Sequence, residues 1–398
     1  MMSRFKIRLL IAGACPLLLI AWLAQNRAPL QADGERVVQR LHLEVGHAPQ
    51  SPVGQTLYVI GDWGRTGAVQ TQVAKLLLDE VTPQLQVGNP PPIVIGTGDM
   101  LYDEAWPQAQ SQSGALRETL DRQFQRLFSV PPTLPALQFH LIPGNHEYDG
   151  DFLGLETVAE QLYDGSQPGL PVWHFYSALP QVKDTNDSAE YALLAALPDN
   201  ERIWPHRIPL PTDSIALVTL DTQALLQHLS RGDHQAVEQS LRLLRNAFQG
   251  VQSEWKALVT HHPLLSYGSH GRSGSVFKRV YNRFFRHSLQ NLTAPEYQDL
   301  VTQLHELVDE LGIDFVISGH EHSLQLNDLG TSSLQIISGA GSEVRPCHSC
   351  DKALYAAAEA GFVRLDIAEG EVVVRFISID SATGLRAEHS FLVTKNMQ

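Results

Sequence analysis

At 398 residues, 43% of them hydrophobic and only 18% charged, the chain carries enough apolar content for a folded core, which excludes disorder along its whole length. The formal charge of -14 argues against a general nucleic-acid binder, since phosphate backbones recruit Lys and Arg; small phosphorylated substrates stay open, because a metal cluster can supply the positive charge they need. Length allows one large domain or two ordinary ones, as single cores stop growing at roughly 250–300 residues, and 29 Gly with 23 Pro favour a turn-rich body.

In chain order, Arg4, Lys6 and Arg8 come first, followed by an apolar run over 9–24 broken only by Gly13 and Pro16. A basic start before an apolar stretch reads as an export signal or a signal anchor. No clean small-residue cleavage site follows Ala24, so the expectation is an uncleaved anchor over 1–24, with membrane contact through that segment alone and the remainder extracytoplasmic, periplasmic or secreted. Residues 25–52, polar and Pro-containing, suit a linker, and 53–398 a single globular domain. Cys347 and Cys350 form a C-x-x-C. One such pair cannot complete a tetrahedral zinc site, so in an oxidising compartment a local disulfide is expected.

Beyond the linker, short β-branched or apolar runs alternate with longer helical patterns. Strands are expected over 57–60, 92–96, 139–142, 215–220, 256–260, 315–317, 333–337, 362–367 and 372–379. Helices are expected over 68–80, 116–128, 236–248 and 297–311, where apolar residues recur three or four apart. Strands separated by helices make an α/β layout, to which the helix-free final third adds hairpins. Five strands end in short segments carrying Asp, Asn or His: Gly61-Asp62-Trp63-Gly64, Gly98-Asp99-Met100-Leu101-Tyr102, Gly144-Asn145-His146-Glu147, Thr260-His261-His262-Pro263 and Gly319-His320-Glu321-His322. Ligands of open α/β sheets gather outside the carboxyl ends of strands, so these segments are expected to converge on one edge.

Singly, each segment has an ordinary explanation. Asp62, Asp99 and Asn145 could be turn or cap residues, and His261 and His262 packed histidines at a strand end. His320 and His322 are different, because extended backbone points i and i+2 side chains to one side. Taken together, two Asp, one Tyr, one Asn and three or four His offer oxygen and imidazole without thiolate, a set suited to iron, manganese or zinc. The donors are too many for one ion. Two ions about 3.5–4 Å apart, sharing a carboxylate, would use them all and clamp the attacking and leaving oxygens of an in-line displacement, which predicts phosphoryl-ester hydrolysis.

The ordered series GD-x-G, GD-x-x-Y, GNH-E, H-x-P and GH-x-H resembles the calcineurin-like metallophosphoesterases, and in particular the purple acid phosphatases of the small, tartrate-resistant-acid-phosphatase-like branch. Most relatives carry a His two residues after the first Asp; here that position is Gly64, an omission the purple acid phosphatases share and offset with the Tyr that matches Tyr102. Trp63, Leu220-Asp221-Thr222, His270, Leu324-Gln325 and Ser338-Gly339-Ala340-Gly341 extend the resemblance, which runs from about Leu57 to the C-terminus.

The resemblance implies a four-layer α/β/β/α sandwich, two facing mixed sheets flanked by helices, forming one catalytic domain. It implies that Asp62, Asp99, Tyr102 and His322 bind Fe(III), and that Asp99, Asn145, His261 and His320 bind a divalent ion, Fe, Zn or Mn, with Asp99 bridging. His261 is preferred to His262 because the family's ligand stands two residues before the proline, here Pro263, which leaves His262 a supporting or packing residue. His146 and His270 match outer histidines that orient phosphate and protonate the leaving group, while a water ionised by the cations attacks phosphorus in line. The implied activity is that of an acid phosphatase hydrolysing small phosphate monoesters. A phosphodiesterase or nucleotide-selective enzyme on the same site, and more remotely a non-catalytic metal-binding surface protein, are the alternatives. The chain departs from the branch at Met100 and Glu147 and in two long stretches, 151–202 and 272–295, the second carrying Arg272, Lys278, Arg279, Arg283 and Arg286 as a solvated basic helix or an anion-attracting rim. Nothing in the sequence specifies an oligomeric state.

Overall fold

The computed structural model describes residues 36–38, 41–46, 53–87, 90–102, 120–148, 169–176, 205–270, 289–330, 332–347 and 349–395. The apolar run 9–24, most of 151–202 and the basic cluster within 272–286 lie outside the described residues. Among the described residues no helix is long and apolar enough to cross a membrane.

Two sheets form the body, their strands numbered along the chain. One has nine strands, in the order β1 (Arg36–Val38), β2 (Leu41–Val45), β16 (Arg386–Lys395), β15 (Glu371–Ile379), β14 (Ala360–Ala368), β3 (Gln55–Ile60), β4 (Ile93–Gly96), β5 (Gln138–Leu141) and β6 (Val172–Phe175). The other has seven, in the order β13 (Tyr355–Ala357), β11 (Leu324–Asp328), β12 (Leu334–Ser338), β10 (Phe315–Ser318), β9 (Trp255–Thr260), β8 (Ile215–Leu220) and β7 (His206–Ile208). Parallel pairing runs from β3 through β6 and from β8 through β9 and β10 to β12, while the remaining pairs are antiparallel, so both sheets are mixed. Among the described residues four α-helices accompany them: α1 (Ala68–Val87), α2 (Thr222–Ser230), α3 (His234–Phe248) and α4 (Pro295–Leu311).

Strand alternation builds the layers. Along β3, Leu57 and Val59 enter a core shared by both sheets with Ile93, Leu217, Val259 and Ile317, whereas Tyr58 and Ile60 join Val73 and Leu77 of α1 in a second cluster. In the other sheet Val218, Leu258 and Val316 likewise belong with Leu241 of α3 and Leu304 of α4. Strands covered on both faces lack a polar alternation, which is why 57–60, 93–96, 215–218, 257–259 and 315–317 read as unbroken apolar runs. This is the expected α/β/β/α sandwich.

The observed elements differ from expectation in ways that packing explains. Residues 41–45, placed in the linker by composition, form β2, where Leu41 and Leu43 are buried and the strand pairs with β16. Helix α1 continues past 80 through Pro83 to Val87. The expected helix at 116–128 is, over its described part, a short π-type turn at Asp121–Gln125. Helix α2 was not expected; seven of its nine residues are buried, so it lacks the polar face that periodicity detects. Asp221 caps it by accepting a hydrogen bond from the Ala224 amide at 3.1 Å. Cys347 and Cys350 are joined in a disulfide, as expected.

Candidate metal centre

The chain leaves the carboxyl ends of β3, β4 and β5 in one sheet and of β9 and β10 in the other, and these five exits meet. Asp62, Asp99 and His320 each sit at positive φ, 53°, 53° and 67°. Non-glycine residues there cost about 1–3 kcal/mol each and persist only where the surroundings over-determine them. At Asp99 Glu147 supplies that constraint. Its buried carboxylate accepts hydrogen bonds from the amides of Asp99 at 2.9 Å, Met100 at 2.8 Å, Leu101 at 2.9 Å and Gly144 at 2.6 Å, locking two loops together. Burial and the neighbouring Asp99 raise its pKa to about 7 despite these donors.

Close approach requires glycine at two positions. A Cβ on Gly144 would lie 2.2 Å from Asp99 Oδ1 and 2.7 Å from His261 Cε1. At Gly64 it would lie 2.2 Å from the Met100 carbonyl carbon, so the position that bears a His in most of the resembling proteins admits no side chain here.

On one side of the site three acceptors converge. His261 Nδ1 lies 2.7 Å from the Thr97 carbonyl and His320 Nε2 lies 2.9 Å from the Gln290 carbonyl. A carbonyl only accepts, so those nitrogens carry the protons. Burial lowers both imidazole pKa values, His320 the more strongly, and keeps the rings neutral. The bare nitrogens, His261 Nε2 and His320 Nδ1, then face each other at 3.3 Å, and each is 3.1 Å from Asn145 Oδ1. Three lone pairs with no hydrogen between them repel unless a cation takes the middle.

On the other side, Asp62 Oδ1 is buried and receives no hydrogen bond among the described residues, with His322 Nε2 at 3.4 Å. Tyr102 places its hydroxyl 3.5 Å from the same nitrogen. Asp62 Oδ2 accepts from the His320 amide at 2.7 Å. Burial, with Asp99 alongside, pushes Asp62 well above the usual carboxylate range, and burial with Asp62 and Asp99 pushes the Tyr102 phenol well above its usual value. Burial would also raise Asp99, but His261 and His146 outweigh it and hold that carboxyl low. Asp99 Oδ1 lies 3.5 Å from His261 Nε2 and accepts from the His146 amide at 3.0 Å, and ligand atoms of Asp62, Asp99 and His261 all lie within 4.8 Å of one another, so this carboxylate stands between the two sides. The donor chemistry, a starved carboxylate beside unprotonated imidazoles, fits bound cations.

All nine residues singled out from sequence are thus brought together. His146 packs on Tyr102 with ring centroids 4.5 Å apart, and His270 packs on His320 at the same separation. His262 also lies beside His261 and His320, and distance alone would admit it to a metal cluster. Its hydrogen bonds argue otherwise: Nδ1 is 2.8 Å from Thr222 Oγ1 and Nε2 is 2.8 Å from Gln290 Oε1, and burial drops its pKa to about 3. Four contributors escaped the sequence. Gln290 orders two histidines, Glu343 stands 3.4 Å from His322 Nδ1, and Arg65 and Arg345 flank Glu343. The adjacency of Arg65 to Gly61-Asp62-Trp63-Gly64, and of Glu343 and Arg345 to Ser338-Gly339-Ala340-Gly341, is the signal that could have flagged three of them.

This fold and site define a metallophosphoesterase: residues 56–324 match the family model for calcineurin-like phosphoesterases, and the chain belongs to that family. Within it, purple acid phosphatase 17 of Arabidopsis thaliana is 25% identical over 289 residues, 72% of this chain and 68% of the relative. Purple acid phosphatase 4 of the same plant is 25% identical over 304 residues, 75% and 71% respectively. Among solved structures, GAP50, the anchor in the inner membrane complex of Plasmodium, superposes with a TM-score of 0.59 over 87% of this chain and 90% of that one. At 14% identity this is a likeness of fold.

Proposed function

We propose that the protein is an acid phosphatase that hydrolyses small phosphate monoesters at a binuclear centre, Fe(III) beside a divalent Fe, Zn or Mn. Asp62, Asp99, Tyr102 and His322 would hold the first ion and Asp99, Asn145, His261 and His320 the second. The reading is carried by the face-off between His261 Nε2 and His320 Nδ1 at 3.3 Å, which a cation between them would relieve. When bound, such a pair of ions supplies Lewis acidity at phosphorus and lowers the pKa of water at mildly acidic pH.

The protein's own groups then divide the remaining work. His146, half-buried above Tyr102, orients phosphoryl oxygens and gives a proton to the leaving alkoxide. His270 is the poorer proton donor. Arg345 Nη1, which can only donate, lies 3.3 Å from His270 Nε2, and burial holds that imidazole pKa low. His270 therefore positions phosphate. The catalytic unit, proposed to start near residue 53, also recruits β2, and extracytoplasmic residence accords with the Cys347–Cys350 disulfide.

Metal analysis of the purified protein, together with turnover of mono- and diester aryl phosphates, tests the proposal. Two metals per chain including iron, with monoesters preferred, is the expected result. A fully metal-loaded protein inert toward monoesters would overturn it.

A further inference from the structure

We infer that Glu321, the residue between His320 and His322, is a positioning residue that acts through His270. Its carboxyl seats the backbone of that histidine and so fixes where the imidazole can meet phosphate. The inference rests on the phosphatase reading above, in which His270 positions phosphate, and adds the group that holds His270 in place.

Glu321 is buried, and both of its oxygens are engaged on one loop. Oε1 accepts from the His270 amide at 2.8 Å and Oε2 from the Ser269 hydroxyl at 3.3 Å. The chain lies directly on this carboxyl, since a Cβ on Gly268 would stand 2.3 Å from Oε2. The segment leading to it is likewise held by side chains. The amide of Leu264 donates to Gln335 Oε1 at 3.0 Å, that of Tyr267 to Gln325 Oε1 at 3.1 Å and that of Gly268 to Ser266 Oγ at 2.9 Å. Asn327 Nδ2 donates to the Leu265 carbonyl at 3.2 Å. Gln325 and Asn327 stand two apart on β11, so alternation puts both on the side that meets the segment. Glu321 ends this row of anchors, at the point where the chain delivers His270.

Backbone seating matters because the ring itself is weakly tethered. Among the described residues His270 Nδ1 is buried without a hydrogen-bond partner. Nε2 meets a donor, Arg345 Nη1 at 3.3 Å, on a side chain that is itself 34% exposed. Stacking on His320, with centroids 4.5 Å apart, sets a distance from the centre but no hydrogen-bond direction. No acceptor fixes the imidazole, so its place is inherited from the backbone that Glu321 holds. A displacement of about 1 Å in a substrate-orienting group is enough to weaken its contact.

The metal-loaded full chain is compared with Glu321→Ala, Glu321→Gln and Gly268→Ala on nitrophenyl phosphate. We expect Glu321→Ala to raise KM about tenfold, the scale of one lost orienting hydrogen bond, with a smaller change in kcat and an unchanged metal content. Glu321→Gln keeps an oxygen that accepts from the His270 amide, so it should bring KM back to within about threefold of the parent. Gly268→Ala pushes the chain off an intact Glu321 and should raise KM as Glu321→Ala does. A double-mutant cycle separates positioning from general support: in a His270→Ala background Glu321→Ala should change KM by less than about twofold, because the group it seats is gone. Calorimetric binding of inorganic phosphate to the parent, both single variants and the double variant gives the same cycle without turnover. Should Glu321→Ala fail to fold, Gly268→Ala replaces it in the cycle and must likewise lose its effect once His270 is removed. Effects that add in the two backgrounds, an unchanged KM in Glu321→Ala, no rescue by Glu321→Gln, or a loss of metal that accounts for the change overturn the inference and leave the phosphatase reading standing. A metal-loaded parent inert toward monoesters overturns the phosphatase reading instead, and the phosphate-binding cycle still decides the inference.

Discussion

The two sides of the centre are held by different physics. Around Asn145, His261 and His320, neutral hydrogen bonds to the carbonyls of Thr97 and Gln290 fix each ring and its proton. Around Asp62, Tyr102 and His322 the support is ionic, from Glu343 and the two arginines that grip it. Burial favours the uncharged imidazoles against the opposing pull of their carbonyl anchors, which fix the tautomer, and neutral rings suit the divalent ion of the proposed centre. A buried carboxylate and a phenol that resist ionisation without a cation suit an ion of higher charge, whose field alone makes both ionise. Asp99 stands between them, grouped with Asp62 on one side and His261 on the other.

The largest expected effect tests that junction. Asp99→Asn should lower turnover by roughly a thousandfold or more, since the two ions of the proposed centre would together be worth several kcal/mol of transition-state stabilisation. Metal analysis should show depletion on both sides, and loss of a single ion would break the bridging arrangement. Next come the outer histidines, one on each side. His146→Ala should cost about a hundredfold on alkyl phosphates, where the leaving group needs a proton, and much less on nitrophenyl phosphate. His270→Ala should slow both substrates alike; a steeper leaving-group dependence for that variant would reverse the two roles. Glu343→Gln should weaken metal affinity by about tenfold to a hundredfold on the ionic side only, measured by chelator competition. The smallest change in rate is expected for Tyr102→Phe. Because burial keeps this phenol protonated until a cation arrives, metal loading of the variant should release fewer protons, and a visible charge-transfer band should vanish.

Most of the strand-end motifs were legible because they follow an apolar run buried on both faces, and such runs are conspicuous around Ile60, Ile95, Val259 and Ile317. The layering followed from the same runs. Strand β16 was not legible: its first half is exposed or half-buried on both faces, so no two-residue period develops before Phe391. Nor was the use of Glu147. Sequence showed an acidic residue after His146, and only folding shows four amides aimed at it. Gln290 lies far from every motif, and its partnership with His262 and His320 is purely a product of tertiary approach. Gly64 is the reverse case, where an absence noted in the sequence acquires a steric cause from the Met100 backbone.

The left-handed backbone at Asp62, Asp99 and His320 sets catalysis against robustness. Glycine at any of the three would relax the chain, and at the aspartates it would also remove a buried acidic group from a crowded pair. A mutant library screened only for survival of heating, with chelator present, should therefore drift toward glycine there. Its hardiest members would be well-folded and inert.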